Sequence, residues 1–451
     1  MTTDNNSRSL VFYPFAYALL DDHLDRRCWY CLSDEQNLLR CMRCRQALFC
    51  NEQCQRLGWW DHQAECGALK RAYPVVFDVE VRLLGRIAAR HMQISSGKDA
   101  VDRENFYLNR QSARQLGDLW HHVGSMRENV EEMRKFRRIQ ASLERFYKAK
   151  YLPNEQTLFK LHSRNYINRH AIGDQLYLNE IGKGLYLDLC AYDHSCRPNA
   201  IYTCEGFVAR LKALDDSVNL SDRKRTHTCY ITPLDSRAER RRLLKESWYF
   251  DCFCERCTDP NDHLLTALKC NNCSTAVPIH NADNDKDLID DSFFTCPKCK
   301  QRCFSRPDVE QALFKMIDIE KQLAKTGSET LSKSELDSML LVCKSVLADE
   351  NVFFAKLLQR KLQLIDCNDS KQLLETSLQA LPCLRVCYPE MHPTLAYHYM
   401  TIGIYYKNLA DCKTAMQYLN DALRRFRFTL GSNHLLTKQC EQLLGGNNRV
   451  D

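Results

Sequence analysis

The sequence predicts an α+β protein of several domains, with a β-rich core, small zinc-binding modules and a helical C-terminal domain. Three observations lead to this fold class. Cysteines cluster at metal-ligand spacing in three places, glycine-bearing β-like patterning occupies residues 161–250, and residues 307–451 are poor in glycine and patterned as helices. A chain of 451 residues is long enough for two or more domains, each with its own core.

The elements follow one another in a fixed order. The predicted segments are a partial strand region at 1–27, a Cys/His module at 28–66, a helical insert at 67–160, a β-rich core at 161–250, a short cysteine segment at 251–260, a ribbon-like insert at 261–306 and a helical domain at 307–451. In the first segment, Leu10 to Leu20 is predicted as one strand whose pairing is limited by Pro14. In the last, two amphipathic helices meet around Asn408 to Asp411, which predicts tetratricopeptide-like hairpins.

Composition predicts a soluble protein of a reducing compartment, nucleus or cytosol or both. No run of about 18 apolar residues occurs, and the N-terminal sequence MTTDNNSRS lacks the basic-then-apolar pattern of a secretory signal, so we expect no membrane association. Most of the 25 cysteines stand in C-x2-C pairs within a large chain, a spacing typical of metal sites rather than of disulfides.

The charge balance gives little support for nucleic-acid binding. A formal net charge of +6 is mildly basic and spread along the chain. One basic run falls within the helical insert, where helical periodicity favours a solvated helix face over a nucleic-acid site. Its residues are Arg134, Lys135, Arg137, Arg138 and Arg145.

The Cys/His module at 28–66 predicts two zinc ions. Zinc takes four thiolate or imidazole ligands in a tetrahedron, and a C-x2-C turn directs two thiolates at one ion. In an interleaved arrangement, the first and third pairs share one zinc and the second and fourth pairs share the other. The alternative, unliganded or disulfide-bonded cysteines, fits four such pairs poorly. The pairs are Cys28 and Cys31, Cys41 and Cys44, Cys50 and Cys54, and His62 and Cys66.

Two later cysteine groups predict further zinc sites. Cys252, Cys254 and Cys257 supply three ligands, so a fourth must come from elsewhere unless these are structural thiols. A second group has zinc-ribbon spacing on predicted hairpins, with Cys303 as a spare thiol, and an apolar structural use is the alternative. The ribbon ligands are Cys270, Cys273, Cys296 and Cys299.

Two motifs carry a family resemblance. With Trp59 and Trp60 closing it, segment 28–66 resembles the MYND finger, which implies a structural role and binding of proline-rich peptides. The run GKGLYLDLCAYDHSCRPNA at 182–200 resembles the SET domain of protein-lysine methyltransferases. A SET domain interrupted by a MYND finger and followed by helices is similar to the SET and MYND domain lysine methyltransferases, over nearly the whole chain.

The resemblance implies roles for individual residues. Cys196 would complete the third zinc site with Cys252, Cys254 and Cys257, so the expected metals are two zinc ions in the finger, one in this post-SET segment and one in the ribbon. The expected cofactor is S-adenosylmethionine, and Tyr230 would be the catalytic tyrosine, although an ordinary buried tyrosine in a strand is the alternative. The implied cofactor-binding residues are Asn168, Asp193, His194, Ser195 and Phe250.

The sequence departs from the family pattern at four places. No Gly-x-Gly element precedes Phe12, so part of the cofactor pocket is expected to be missing. Asp193 replaces an asparagine, and an ionised carboxylate only accepts hydrogen bonds. The run DRKRTHT stands where a Gly-Glu-Glu turn is usual, and Trp248 replaces a tyrosine of the lysine channel.

Two functions therefore compete. The first is a monomeric protein-lysine N-methyltransferase acting on lysine-bearing tails of histones or other proteins, in transcriptional regulation. The alternative is a non-catalytic adaptor, similar to a co-repressor, that binds peptides through the finger and the helical domain. A third interpretation, a zinc-stabilised scaffold with unspecified partners, shares the fold and differs in mechanism.

Overall fold

The computed structural model describes residues 9–97, 113–174, 176, 179–279, 294–325 and 331–445. The acidic loop NADNDKDLIDD, predicted between the two halves of the ribbon, lies outside the described residues. Among the described helices, none combines the length and the apolar character that crossing a membrane requires. Helices and strands both contribute substantially, as the predicted α+β class requires.

Twelve short strands are described. They are β1 (Ser9–Phe12), β2 (Ala16–Leu19), β3 (Leu39–Arg40), β4 (Leu48–Phe49), β5 (Arg169–Gly173), β6 (Glu180–Leu185), β7 (Ala200–Glu205), β8 (Val208–Ala213), β9 (Leu268–Lys269), β10 (Ala276–Val277), β11 (Phe294–Thr295) and β12 (Arg302–Phe304).

Fourteen α-helices are described. They are α1 (Glu52–Ala72), α2 (Val79–Ser95), α3 (Val123–Glu128), α4 (Val130–Phe146), α5 (Glu155–Asn168), α6 (Arg237–Trp248), α7 (Glu255–Thr258), α8 (Arg306–Leu323), α9 (Lys333–Val346), α10 (Val352–Leu362), α11 (Ser370–Cys387), α12 (Pro393–Asn408), α13 (Cys412–Thr429) and α14 (Leu435–Gly445).

The β-rich core consists of two three-stranded antiparallel sheets, ordered β1-β8-β7 and β2-β6-β5. The single strand predicted from Leu10 to Leu20 is therefore two strands, because the chain breaks around Pro14 and β1 and β2 join different sheets. In the second sheet β2 passes very close to β6, since a Cβ on Gly182 would lie 2.7 Å from the Ala18 carbonyl oxygen. Gly182 therefore serves strand packing.

Side-chain caps start the helices of the insert. The Asn51, Asp78 and Asn154 side chains accept hydrogen bonds from the first-turn backbone N–H groups of α1, α2 and α5. Helix α1 begins inside the cysteine module, and α5 runs to Asn168. The β structure predicted from residue 161 therefore starts at Arg169, eight residues later.

Two large hydrophobic cores, besides a small cluster around Cys196 and Leu244, organise the described residues. The cysteine module, the helical insert and both sheets share one core, whereas the ribbon hairpins and the C-terminal helices share another. In the second core, α12 and α13 pack side by side with three residues between them, at the break predicted around Asn408 to Asp411.

A buried arginine joins the two halves. The Arg256 guanidinium donates to the carbonyl oxygens of Cys196 (3.1 Å), Pro233 (3.0 Å) and Cys387 (3.2 Å), which belong to the β-rich half and to α11. Asp262 balances its charge through a 2.9 Å ion pair. Because a buried guanidinium needs such partners, Arg256 ties the two halves together.

Candidate metal centres and cofactor site

Four groups of cysteine and histidine side chains converge in the described residues. Within each group the potential ligand atoms lie within 4.8 Å of one another, a separation suited to one tetrahedral ion. The groups are Cys28, Cys31, Cys50 and Cys54; Cys41, Cys44, His62 and Cys66; Cys196, Cys252, Cys254 and Cys257; and Cys270, Cys273, Cys296 and Cys299. The structure thus brings together the same sets of residues that the sequence predicts.

The two groups of the finger are interleaved. In the first, Cys31 and Cys50 sulfurs are 3.5 Å apart although 19 residues separate them. In the second, the Cys44 sulfur lies 3.5 Å from His62 Nε2, which marks Nε2 as the nitrogen directed at the metal position. Since each group combines pairs that are distant in sequence, two ions would cross-brace the module.

Glu65 orients His62 of the second group by accepting from the ring nitrogen that faces away from the metal position. The sequence prediction missed this role. The Glu65 carboxylate accepts from His62 Nδ1 (3.1 Å) and forms a two-point ion pair with Arg86 (2.6 and 3.0 Å), while Arg86 also donates to the Tyr17 carbonyl oxygen (2.7 Å). Burial raises the pKa of Glu65, but Arg86 and His62 outweigh it and lower that pKa to about 2. The His-x2-Glu spacing, one helical turn on α1, is the signal in the sequence.

The third group fastens the DHSC loop to the cysteine segment after α6. Cys196 is fully buried, its sulfur lies 3.6 Å from that of Cys257, and its backbone N–H donates to the Cys254 sulfur at 3.3 Å. The buried Arg240 guanidinium lies 3.9 Å from the Cys257 sulfur. A nearby cation compensates the negative charge that four thiolates leave on a zinc site.

We expect Cys196→Ser to remove one zinc ion and to loosen the segment that follows α6. A hydroxyl is a poorer zinc ligand than a thiolate, and Cys196 is the ligand that connects the remaining three cysteines, which lie within a six-residue stretch, to the β-rich core. Zinc content by native mass spectrometry, with hydrogen exchange of residues 248–258, checks this. Full zinc content with unchanged exchange would contradict it.

His194 connects the third group to Tyr230. The Tyr230 backbone N–H donates to His194 Nδ1 (3.0 Å), and burial lowers the pKa of His194 to about 4, so the ring is neutral at pH 7. The proton therefore sits on Nε2, which faces the Cys196 sulfur at 3.2 Å. The imidazole thus links a metal-ligand position to the backbone of the candidate catalytic residue.

Tyr230 lies in the segment between β8 and α6 and not in a strand. The alternative drawn from the sequence, an ordinary buried tyrosine in a strand, is therefore wrong about its secondary structure. Its hydroxyl donates to the Tyr192 carbonyl oxygen (2.8 Å), and its ring lies 5.2 Å from that of His194 and 5.7 Å from that of Trp248, measured between centroids. Burial raises the pKa of Tyr230 well above its ordinary value. The side chain is therefore a neutral hydroxyl and not a base at physiological pH.

The other predicted cofactor residues are only partly brought together. Phe250 packs against His194 with ring centroids 6.1 Å apart, and the Asp193 side chain is exposed nearby. The Ser195 hydroxyl instead donates to the Arg197 carbonyl oxygen (3.1 Å). Asn168 directs its amide to the carbonyl oxygens of two other residues, Trp120 (2.9 Å) and Arg164 (2.8 Å).

A cavity of about 320 Å³ lies on the other side of the Tyr230 backbone. Cys229 and Ile231, the two neighbours of Tyr230, line it together with the edges of β5 and β7 and with Tyr388 and His392 from the C-terminal half. Its size falls at the low end of ligand-binding cavities. The sequence contains no signal for it, because its walls come from segments more than 200 residues apart.

Comparisons with known proteins agree with this architecture. Segment 28–66 matches the MYND finger family, so the interleaved module is a MYND finger. The chain is 24% identical to the human histone-lysine N-methyltransferase SMYD3, over 96% of this chain and 90% of that protein. It is 22% identical to the human N-lysine methyltransferase SMYD2 over 95% and 90%, and 30% identical to SMYD2-B of Danio rerio over 54% and 53%. This similarity over most of the chain confirms the resemblance to the SET and MYND domain family that was inferred from its motifs.

Proposed function

We propose that this protein is an S-adenosylmethionine-dependent protein-lysine N-methyltransferase that acts on histones or other proteins in transcriptional regulation. The observation that carries the proposal is the position of Tyr230. Its side chain packs with His194 and Trp248, Phe250 packs on the same His194 ring, and the two chain neighbours of Tyr230 line the cavity described above. Cofactor and lysine would thus meet at the Tyr230 side chain, with Phe250 on the cofactor side and Trp248 beside the lysine, and the names of the relatives support the same reaction.

The residues fit the chemical groups of S-adenosylmethionine. Phe250 offers an aromatic face for adenine, and the exposed Asp193 carboxylate can accept from an ammonium group. The cofactor would supply an electrophilic methyl group carried on a sulfonium. The neutral Tyr230 hydroxyl would orient the lysine amine, and the ring of Trp248 would narrow the approach to it.

The cavity lined by Cys229 and Ile231 is a proposed contact site for the substrate residues that flank the lysine. Its walls carry few charges, and such a lining favours apolar side chains on either side of the substrate lysine. Tyr388 and His392 contribute from the helical C-terminal half, so that half would share in selecting the substrate. We also propose that these helices form tetratricopeptide-like hairpins after the ribbon.

The finger is the proposed docking site for proline-rich partners. Leu39, on β3, and Met42, just after it, are 50% and 88% exposed, and such apolar side chains on a small rigid module suit peptide binding. Its two clusters would each hold a zinc ion, with a third ion in the post-SET cluster and a fourth in the ribbon. We propose that the monomeric protein works in the nucleus, the cytoplasm or both.

Titration calorimetry of the zinc-loaded protein with S-adenosylmethionine tests the cofactor assignment. We expect saturable binding with a Kd well below about 1 mM, because an aromatic face and a carboxylate complement the adenine and ammonium groups. An Asp193→Ala variant should bind more weakly, whereas an Asp215→Ala variant, in the loop after β8, should not change. If the binding heat does not saturate at millimolar S-adenosylmethionine, the proposal that the protein is a methyltransferase is refuted.

The alternative function is a non-catalytic adaptor. The exposed Leu39 and Met42 of the finger favour it as much as they favour an enzyme, because peptide docking needs no cofactor. Asp193 in place of the family's asparagine is the feature of the candidate pocket that favours the adaptor. Peptide binding by a protein that fails to bind S-adenosylmethionine would establish this function.

A further inference from the structure

The ribbon contains five thiols for the four positions of a tetrahedral zinc site. Besides the predicted ligands, the Cys303 sulfur lies 3.3 Å from that of Cys270, closer than the Cys299 sulfur at 3.7 Å. Two thiolates bound to one tetrahedral zinc lie about 3.8 Å apart, given a Zn–S distance of about 2.3 Å. Cys303 is therefore already within ligand range of one member of the cluster.

A β-bulge directs this fifth thiol toward the cluster. In the hairpin of β11 and β12, Phe294 pairs with Phe304 while Thr295 pairs with Arg302, so Cys303 is the extra residue between two paired positions. A bulge breaks the alternation of side chains along a strand and changes the direction of the inserted residue. The Cys303 thiol can donate to the Gln301 carbonyl oxygen at 3.3 Å.

We propose that Cys303 is a reserve zinc ligand of the ribbon, able to take the position of Cys299. This inference rests on the proposed ribbon zinc. Both cysteines lie beside Cys270 and belong to one hairpin, four residues apart, so an exchange between them requires only a local shift. Cys273 contacts Cys296 on the other side of the cluster and would not be replaced. Exchange of one thiolate for another keeps the charge of the site unchanged.

Zinc counting in the full-length protein tests the reserve ligand. We expect four zinc ions per chain, one for each cluster, in the wild type and in Cys299→Ser, and three in the double variant Cys299→Ser/Cys303→Ser. Cys273→Ser is the matched control and should also hold three. The measurement is native mass spectrometry in reducing buffer, together with the rate of zinc transfer to a chromogenic chelator.

The possible outcomes separate the two ideas. Loss of one ion in Cys299→Ser would overturn the reserve role while leaving the ribbon zinc in place, and so would retention of all ions in the double variant. A wild-type protein with only three ions, unaffected by Cys273→Ser, would show that the ribbon holds no zinc and would refute both proposals. The methyltransferase proposal stands apart from all of these results, because none of the described ribbon residues lines the cavity or contacts the Tyr230 side chain.

Discussion

We expect Glu65→Gln to lower the free energy of unfolding by about 3 kcal/mol, because removing one partner of a buried ion pair leaves the other charge uncompensated. Glu65 is completely buried and is the counterion that Arg86 meets at two points, while the same carboxylate accepts from His62. Gln can still accept from one neighbour, but it carries no charge. Chemical denaturation of the zinc-loaded protein measures the change.

The same substitution should weaken zinc binding at the second site of the finger. A carboxylate that accepts from a metal-bound imidazole fixes its orientation, and loss of such a partner typically costs about 10- to 100-fold in metal affinity. Competition with a chelator measures this effect separately from unfolding. Because Arg86 also holds the Tyr17 carbonyl oxygen of β2, hydrogen exchange in β2 should rise as well.

Glu132→Gln is the matched control for Glu65→Gln. Glu132 is also buried, but its ion pair at 2.7 Å is with Lys135, whose side chain is 55% exposed, so the unpaired cation stays hydrated. We expect the free energy of unfolding of this variant to fall by less than about 1 kcal/mol. If the free energy of unfolding falls equally in the two variants, the ion pair of Glu65 with Arg86 stabilises the protein no more than the exposed pair of Glu132 with Lys135.

Local sequence spacing was enough to predict the zinc groups. A C-x2-C pair forms a turn whose two thiolates face one point, so each half of a site is encoded within a few residues. The pairing of Cys28 and Cys31 with Cys50 and Cys54 followed from the interleaved pattern of the finger. Cys196 differs, because the family resemblance and not its spacing assigned it to the cysteines that follow α6.

Long-range packing explains what the sequence did not predict. The link from Glu65 through Arg86 to Tyr17 joins two helices and a strand, and no local pattern encodes it, whereas His62 and Glu65 lie one turn apart on α1. The cavity beside Tyr230 depends in the same way on long-range folding, which brings Tyr388 and His392 to a cavity that β7 also lines. Pro14 indicated in the sequence that pairing of the first strand is limited. The sequence did not indicate that the segments on either side of Pro14, β1 and β2, join different sheets.

Tyr230→Phe should lower kcat for methyl transfer by about 100-fold while leaving the Kd for S-adenosylmethionine within about 2-fold of the wild type. The phenyl ring keeps the packing against His194 and Trp248, so the cofactor side of the site stays intact. Only the hydroxyl is lost, and a lysine amine that is no longer oriented reacts from many unproductive positions. Single-turnover assays on a lysine-bearing protein substrate, paired with calorimetry, measure the two effects.

The stability of this variant needs its own measurement, because the Tyr230 hydroxyl also donates to the Tyr192 carbonyl oxygen. Loss of that hydrogen bond costs about 1 kcal/mol, which is too little to unfold the domain or to explain a 100-fold loss of rate. Tyr418→Phe, on a helix of the C-terminal half, removes a hydroxyl remote from the site and should leave kcat unchanged. If Tyr230→Phe retains the wild-type rate, the hydroxyl has no part in methyl transfer, and Tyr230 is a packing residue between the cofactor site and the substrate cavity.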